Sequence, residues 1–194
     1  GKDPAKTKYD EPQGPDTSDL PELPDGWVWV RFEQLLDFSQ NGYGERNSRN
    51  GILSPVLRLA DIVNNRISTD NLRNIGASEQ KIDKYKLELN DLLCIRVNGS
   101  KHLVGRAIHY SGSKEILLFC DHFIRFRLLE KSLSKYIEIC LNSQISRKYI
   151  ELNMVSSAGQ NTISQGIMAN VSIPLPSIQE INIIMIALDE RISI

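Results

Sequence analysis

The chain has 194 residues, 41% hydrophobic and 24% charged, with a formal net charge of −1. That length suits one ordinary domain with appendages, and the apolar runs fall far short of the ~18 residues a membrane span requires. Cys94, Cys120 and Cys140 stand singly with no C-x-x-C spacing, which argues against zinc and dithiol motifs and suits a reducing cytoplasm.

The charge is unevenly placed. Residues 1–40 carry −5, residues 41–170 carry +6 and residues 171–194 carry −2. The body is therefore basic, which is compatible with a polyanion partner and also common in proteins that bind none. Gly1 stands where a Met would start a chain, and the N-terminus is polar rather than leader-like. The chain therefore reads as a processed or excised piece of something longer.

Residues 1–22 are rich in Pro and charge and read as a flexible linker. Order begins near Gly26, and Trp27 to Val30 form a strand whose two Trp share one face. Phe32 to Phe38 reads as a short helix, and residues 39–51, with three Gly and three Asn, as a long polar loop. Pro55 to Leu59 is a strand. A short helix covers Ser78–Asp83 within the polar stretch 64–84.

Leu92–Val97 and Leu103–Ile108 flank Asn98-Gly99, a hairpin or tight-turn signal because these residues tolerate positive φ. From Arg96 to Arg106 every polar side chain is a donor and none is acidic. A solvated tip and a tip touching phosphates or base edges both fit. Ile116–Cys120 and Phe123–Leu129 are further strands, the second alternating Phe123, Arg125, Arg127 against Ile124, Phe126, Leu128. Ser134–Asn153 has helical periodicity, Ser156–Asn161 reads as a polar loop, and Pro174 and Pro176 exclude a helix interior or central strand. Ser177 and Glu180 form a capping box. Behind it, Ile178, Ile181, Met185, Leu188 and Ile192 recur at spacings of 3 and 4, a coiled-coil seam of about two heptads. A segment that short needs a partner surface, on its own domain or elsewhere.

No active site assembles from the sequence. The three His form no H-x-x-x-H pair, and no G-x-S-x-G elbow or Gly-rich phosphate loop occurs. Ser111 to Lys114 matches S-x-x-K only in a Gly/Ser turn. Asp70 with Glu79-Gln80-Lys81 matches a nuclease set only loosely, off the buried strand that such a set requires. No metal site and no cofactor is implied. Donors, by contrast, cluster in four loops: Arg46, Asn47, Arg49 and Asn50; Arg73, Lys81 and Lys84; Asn98, Ser100, Lys101 and Arg106; Gln160 and Asn161. Arg and Lys suit guanine O6/N7, and Asn and Gln suit adenine N6/N7.

The order of segments resembles a known family. It runs from Leu23-Pro24-Asp25-Gly26-Trp27-Val28-Trp29 through Leu57-Arg58-Leu59-Ala60-Asp61-Ile62, Asp91 to Ser100 and Leu103-Val104-Gly105-Arg106. It ends with Ser157-Ala158-Gly159-Gln160-Asn161-Thr162-Ile163-Ser164 and Ile173-Pro174-Leu175-Pro176-Ser177-Ile178-Gln179-Glu180. From about Leu20 onward this is similar to the specificity subunits of type I restriction–modification systems.

The resemblance implies an α+β target-recognition domain over 23–174, with a curved mixed or antiparallel sheet approaching a partial barrel and short helices. A spacer helix of coiled-coil type starts at 175–194. It further implies a cytoplasmic, non-catalytic DNA-binding role, reading one half of a bipartite duplex site. Methyltransferase and restriction subunits would be partners, S-adenosylmethionine would belong to the former, and pairing through the C-terminal helix would be open. Within 96–106, Asn98, Gly99 and Gly105 would shape the backbone while Ser100, Lys101 and Arg106 face DNA. The chain departs from the family in having one recognition domain, a spacer that stops at Ile194, and Ile181-Asn182 after Gln179-Glu180. A non-catalytic interaction module acting through the apolar tail is the alternative reading, with a nuclease a distant third.

Overall fold

A computed structural model describes residues 14–192. In chain order it has β1 (Val28–Arg31), β2 (Leu36–Asn41), β3 (Ile52–Leu57), β4 (Ile62–Val63), β5 (Arg66–Ile67), β6 (Arg73–Ala77) and α1 (Glu79–Tyr85). Then come β7 (Leu92–Ile95), β8 (Val97–Asn98), β9 (Ala107–His109), β10 (Leu118–Phe119) and β11 (Phe123–Leu128). The last part holds α2 (Ser134–Asn142), α3 (Gln144–Asn153), β12 (Val155–Ser157), β13 (Gln160–Thr162), α4 (Gln165–Ala169), β14 (Ser172–Leu175) and α5 (Ile178–Ile192).

The strands form five small sheets, ordered β2-β11-β7-β9, β10-β3-β6, β12-β13-β8, β1-β14 and β4-β5. The fold is thus mixed α+β, and the described strands close no barrel. Only β10–β3 is parallel among the named pairs.

The β2-β11-β7-β9 sheet is a middle layer with a core on each side. Successive side chains of a strand point to opposite faces, so Leu92, Cys94, Ile124, Phe126 and Leu128 enter one core with Phe32, Ile137, Leu141 and Ile150. Leu93, Ile95 and Phe123 enter the other with Val56, Leu57, Leu118 and Phe119. β7 is therefore buried throughout, and its continuous Leu-Leu-Cys-Ile run is what two covered faces require.

On the second face β11 presents Arg125 and Arg127. Arg125 is 3% exposed. It donates to Gln40 Oε1 at 2.6 Å and to the carbonyls of Lys86 at 2.6 Å and Lys84 at 3.2 Å, so it also closes the C-terminal end of α1. Burial lowers its guanidinium from the ordinary value, yet an Arg stays charged and must be answered. Asp91, fully buried, grips Arg127 through two bonds of 2.7 and 2.9 Å and lies 4.0 Å from Arg125. Both guanidinia cover the Phe38 ring, at 5.0 and 4.9 Å from its centroid.

Several local expectations change on folding. Phe32–Leu35 is a single 3-10 turn and Leu36–Asn41 is a strand, because β11 offers this segment a ladder (Arg127↔Phe38, Arg125↔Gln40). The polar stretch 64–84 contains two strands besides α1. The periodicity over 134–153 belongs to two helices broken at Ser143, whose hydroxyl accepts from Ser146 N at 3.4 Å and caps α3. The break turns Ile145 to the surface and Ile150 into the core.

Residues 156–161 are a hairpin, not a loop. β12 pairs with β13 across Ala158 (φ 47°) and Gly159 (φ 76°), as a type I′ turn demands. β7 and β9 do pair antiparallel, with Cys94↔Ala107, but Asn98-Gly99 is not the reversal. The chain leaves to form β8 and a 3-10 turn at Lys101–Leu103, and the positive φ falls at Gly105 (+74°).

The capping box forms as expected: Ser177 Oγ donates to Glu180 Oε2 at 3.0 Å, and Glu180 N donates back to Ser177 Oγ at 3.3 Å. Trp27 Nε1 also reaches Glu180 Oε1 at 3.4 Å, tying β1 to the start of α5. Of the expected seam, Ile181 is buried in the domain core, Met185 packs partly against it and Leu188 is half-buried. Ile178 is exposed, and the side chain of Ile192 lies outside the described residues. The seam is thus spent at Ile181 and Met185 on the chain's own core. Residues 1–13 of the expected linker also lie outside the described residues.

Two stability predictions follow from these contacts. A Cβ on Gly105 would meet Ile150 Cγ2 at 2.6 Å in a backbone of positive φ. Gly105→Ala should therefore cost about 2 kcal/mol or more in urea unfolding, whereas Gly26→Ala, equally positive in φ but in open space, should cost only ~1 kcal/mol. Asp91→Ala should cost about 3–5 kcal/mol by orphaning buried guanidinium. Adding Arg127→Leu should recover part of that loss, a coupling measurable by a double-mutant cycle.

Candidate nucleic-acid interface

The turn Cys120–Phe123, which carries β10 into β11, is the point from which the donor loops are held. Phe123 N donates to Cys120 O at 3.0 Å, closing it. Tyr43 N donates to Phe119 O at 2.8 Å, Gly42 N to Phe123 O at 3.1 Å and Asp121 N to Tyr43 O at 3.1 Å, fixing the root of the 42–51 loop. Cys120 N donates to Leu57 O at 3.0 Å, fixing the end of β3. On the other side Arg96 N donates to His122 O at 2.7 Å, and Arg96 Nη1 to Asp121 O at 3.2 Å. Arg46 caps the group, its Nη2 lying 3.3 Å from Asp121 Oδ2.

The first donor cluster lies on the 42–51 side. The loop lies directly on β6: Gly76 N donates to Ser48 O at 2.7 Å, and a Cβ on Gly76 would stand 2.5 Å from Asn50 O. Arg73 donates to Asn47 Oδ1 at 2.6 Å. Ser78 caps α1, accepting from Lys81 N at 3.4 Å, and directs Lys81 to Glu45 at 2.9 Å and the Tyr43 hydroxyl at 3.1 Å. Those two bonds hold the Lys81 ammonium above its ordinary pKa. The Tyr43 hydroxyl, followed by Lys81, holds Glu45 below its own. Lys84 stands over the Tyr85 ring at 5.5 Å. Among the described residues neither Lys84 nor Arg49 has an acidic partner.

The second cluster is built by β8 pairing with β13, Asn98 opposite Asn161. Asn161 is buried, and its amide is committed: it donates to Gly99 O at 2.9 Å and Asn98 O at 3.3 Å and accepts from Ser156 Oγ at 2.5 Å. Asn98 Oδ1 accepts from Ser100 N at 2.9 Å. These two amides shape the loop, while Ser100, Lys101 and Gln160 are exposed beside them. Arg106 is half-buried, its Nε enclosed without a partner. Arg147 clamps the turn by donating to Val104 O at 2.6 Å and Lys101 O at 3.4 Å. Arg96, Asp121 and Arg147 carry no local signal in the sequence, since each acts on a carbonyl or side chain far along the chain.

Cys120 Sγ, a carboxylate oxygen of Asp121 and a ring nitrogen of His122 lie within 4.8 Å of one another, the one such donor group among the described residues. Burial pushes the Cys120 thiol up to about 11, and Arg46 already answers the Asp121 carboxylate, so the group serves the turn. The loose nuclease set does not assemble: Lys81 answers Glu45, Asp70 accepts from Ser68 at 2.8 Å, and Glu79 lies exposed in the first turn of α1. Of the S-x-x-K match, Ser111 and Lys114 are both exposed.

No family model matches the chain. Over 156 residues, 80% of this chain, it is 39% identical to the type I restriction enzyme StySPI specificity subunit of Salmonella potsdam, covering 34% of that protein. It is 29% identical over 152 residues, 78% of this chain, to the type I restriction enzyme EcoKI specificity subunit of Escherichia coli K12, covering 33% of it. The chain thus spans about a third of the length of these curated relatives. The fold is similar to the HsdS subunit from Thermoanaerobacter tengcongensis, with a TM-score of 0.56 at 19% identity over 89% of this chain and 39% of that one. A chain from a structure of type I R-M complex assembly and conformational transition matches 91% of this chain and 40% of its own length, with a TM-score of 0.61 at 21% identity. The curated homologues of this chain are thus type I restriction enzyme specificity subunits, and the solved structures share its fold.

Proposed function

We propose that residues 23–174 are a target-recognition domain that reads one half of a bipartite duplex DNA site. Residues 1–22 then act as the preceding linker, and residues 175–194 begin the spacer helix. The observation that carries this reading is the pair of donor clusters pinned on either side of the Cys120–Phe123 turn. Arg49, Lys84, Ser100, Lys101 and Gln160 are all exposed there, on the part of the chain that holds its +6 charge. Phosphate contacts would set the register and base-edge contacts the sequence. Arg46, Asn47, Arg73 and Lys81 already hold partners within the protein. They would contact DNA by sharing or exchanging those partners, and Arg106 would do so from a half-buried position.

On this reading the domain is non-catalytic. Methylation with S-adenosylmethionine and DNA cleavage belong to methyltransferase and restriction subunits that the full-length subunit positions. The exposed Ile183 and Ile186 of α5 then serve contacts of the spacer within that assembly rather than a separate interaction module.

The test is binding of the assembled complex to a panel of duplexes over a salt series. Discrimination among sequences is expected, and its absence would overturn the reading. Salt dependence alone would not support it. Lys101→Ala and Arg49→Ala should each weaken binding and, if the residue meets phosphate, reduce the salt slope by about 0.9. A residue reading a base should instead cost roughly 1–3 kcal/mol at one position only. Asn161→Ala should lower the melting temperature as well as binding, since its amide holds β8 and β13 together.

A further inference from the structure

The β4–β5 hairpin is a donor tip that neither donor cluster includes. Its turn is Asn64-Asn65, both left-handed, with φ of 50° and 60°. A two-residue turn of this kind is best served by Asn-Gly, so the backbone does not require a side chain at Asn65. Asn64, Asn65 and Arg66 are exposed, and among the described residues none of their side chains has a hydrogen-bond or ion-pair partner. No acid occurs from Ile62 to Thr69.

The root of this tip is fixed rigidly. Buried Asp61 accepts from Arg58 N at 2.7 Å and Arg58 Nε at 3.1 Å, and its carbonyl accepts from Ser68 N at 2.8 Å. Arg58 Nη2 spans to Asn71 O at 3.0 Å, so one guanidinium ties the two ends of the hairpin together. Ile62 and Ile67, opposite each other in the ladder, pack on the second core.

The root also lies where the interface is organised. Leu57, just before Arg58, accepts from Cys120 N. Asn71 is two residues from Arg73, which holds Asn47. The hairpin therefore springs from the same end of β3 and β6 as the Cys120–Phe123 turn and the Arg73–Asn47 pair, while Arg49 and Asn50 lie over the other end of that pair of strands, against Gly76.

We propose that Asn64 and Asn65 read base edges of the target duplex, with adenine N6/N7 the chemistry an amide fits, and that Arg66 contacts the adjacent phosphate. This rests on the recognition-domain reading above. The amides are free, and the Arg58–Asp61 clasp orders the backbone of the tip before binding, so only the side chains remain to be ordered.

The experiment uses the full-length subunit assembled with its methyltransferase partners, and duplexes carrying each single base-pair change in the target. Asn64→Gly/Asn65→Gly keeps the turn, because Gly adopts positive φ freely, and removes only the amides. It should lose roughly tenfold or more of discrimination at one or two adjacent base pairs, with an unchanged melting temperature. Arg66→Ala should weaken binding to every duplex and lower the salt slope by about 0.9. If both variants bind and discriminate like the parent while Lys101→Ala weakens binding, the hairpin proposal is wrong and the recognition-domain reading stands. If Lys101→Ala and Arg49→Ala are also without effect, and no duplex is preferred, that reading fails with it.

Discussion

β11 is covered on both faces, and the rest of the structure is arranged around that fact. A strand in this position can carry apolar side chains on either side at no cost, but two arginines only if each is answered. Asp91 answers Arg127 directly and lies against Arg125, and Arg125 donates to the Gln40 amide oxygen and to the Lys84 and Lys86 carbonyls at the end of α1. The same strand fixes β2 on one edge and β7 on the other. Its first residue closes the Cys120–Phe123 turn. The sheet, the end of α1 and the root of the 42–51 loop are thus positioned by one strand and its charge network.

The proposed reading surface inherits this rigidity. Backbone hydrogen bonds to the turn set the 42–51 loop and the 96–98 segment on opposite sides of it. Within each cluster the polar residues divide into those that shape and those that remain available. Glu45, Asp121 and the Asn161 amide are spent on neighbours, and Arg49, Lys84, Ser100, Lys101 and Gln160 are left facing solvent. The net charge of −1 is a poor guide to such a surface, because the acids that lower it stand in the terminal segments.

Signals confined to a few consecutive residues were legible in the chain. The capping box at Ser177, the short helix near Ser78–Asp83, the period-2 alternation of β11 and the exclusion of Pro174 from a helix or central strand all survive folding. Pairing at long range was not legible. β8 and β13 are joined by an Asn161 bond that spans 62 residues, so Asn161 read as one exposed donor among several and Ala158-Gly159 as part of a loop. Asn98-Gly99 carried the residue types of a tight turn, but β8 found a partner and moved the reversal to Gly105. Ser143 is a weak punctuation mark inside a helical period, and only packing shows that it divides two helices. Asn64-Asn65 passed as part of a polar stretch because a two-residue ladder is too short to display any period.

The central claim is that the loops held by β11 and its preceding turn choose bases. The most direct measurement is to graft residues 23–174 in place of the matching segment of a relative whose target sequence is known, and to sequence the DNA that the assembled complex then modifies. The account predicts that one half of the target changes while the other half and the assembly persist. An assembled, active complex with its original target unchanged would contradict it.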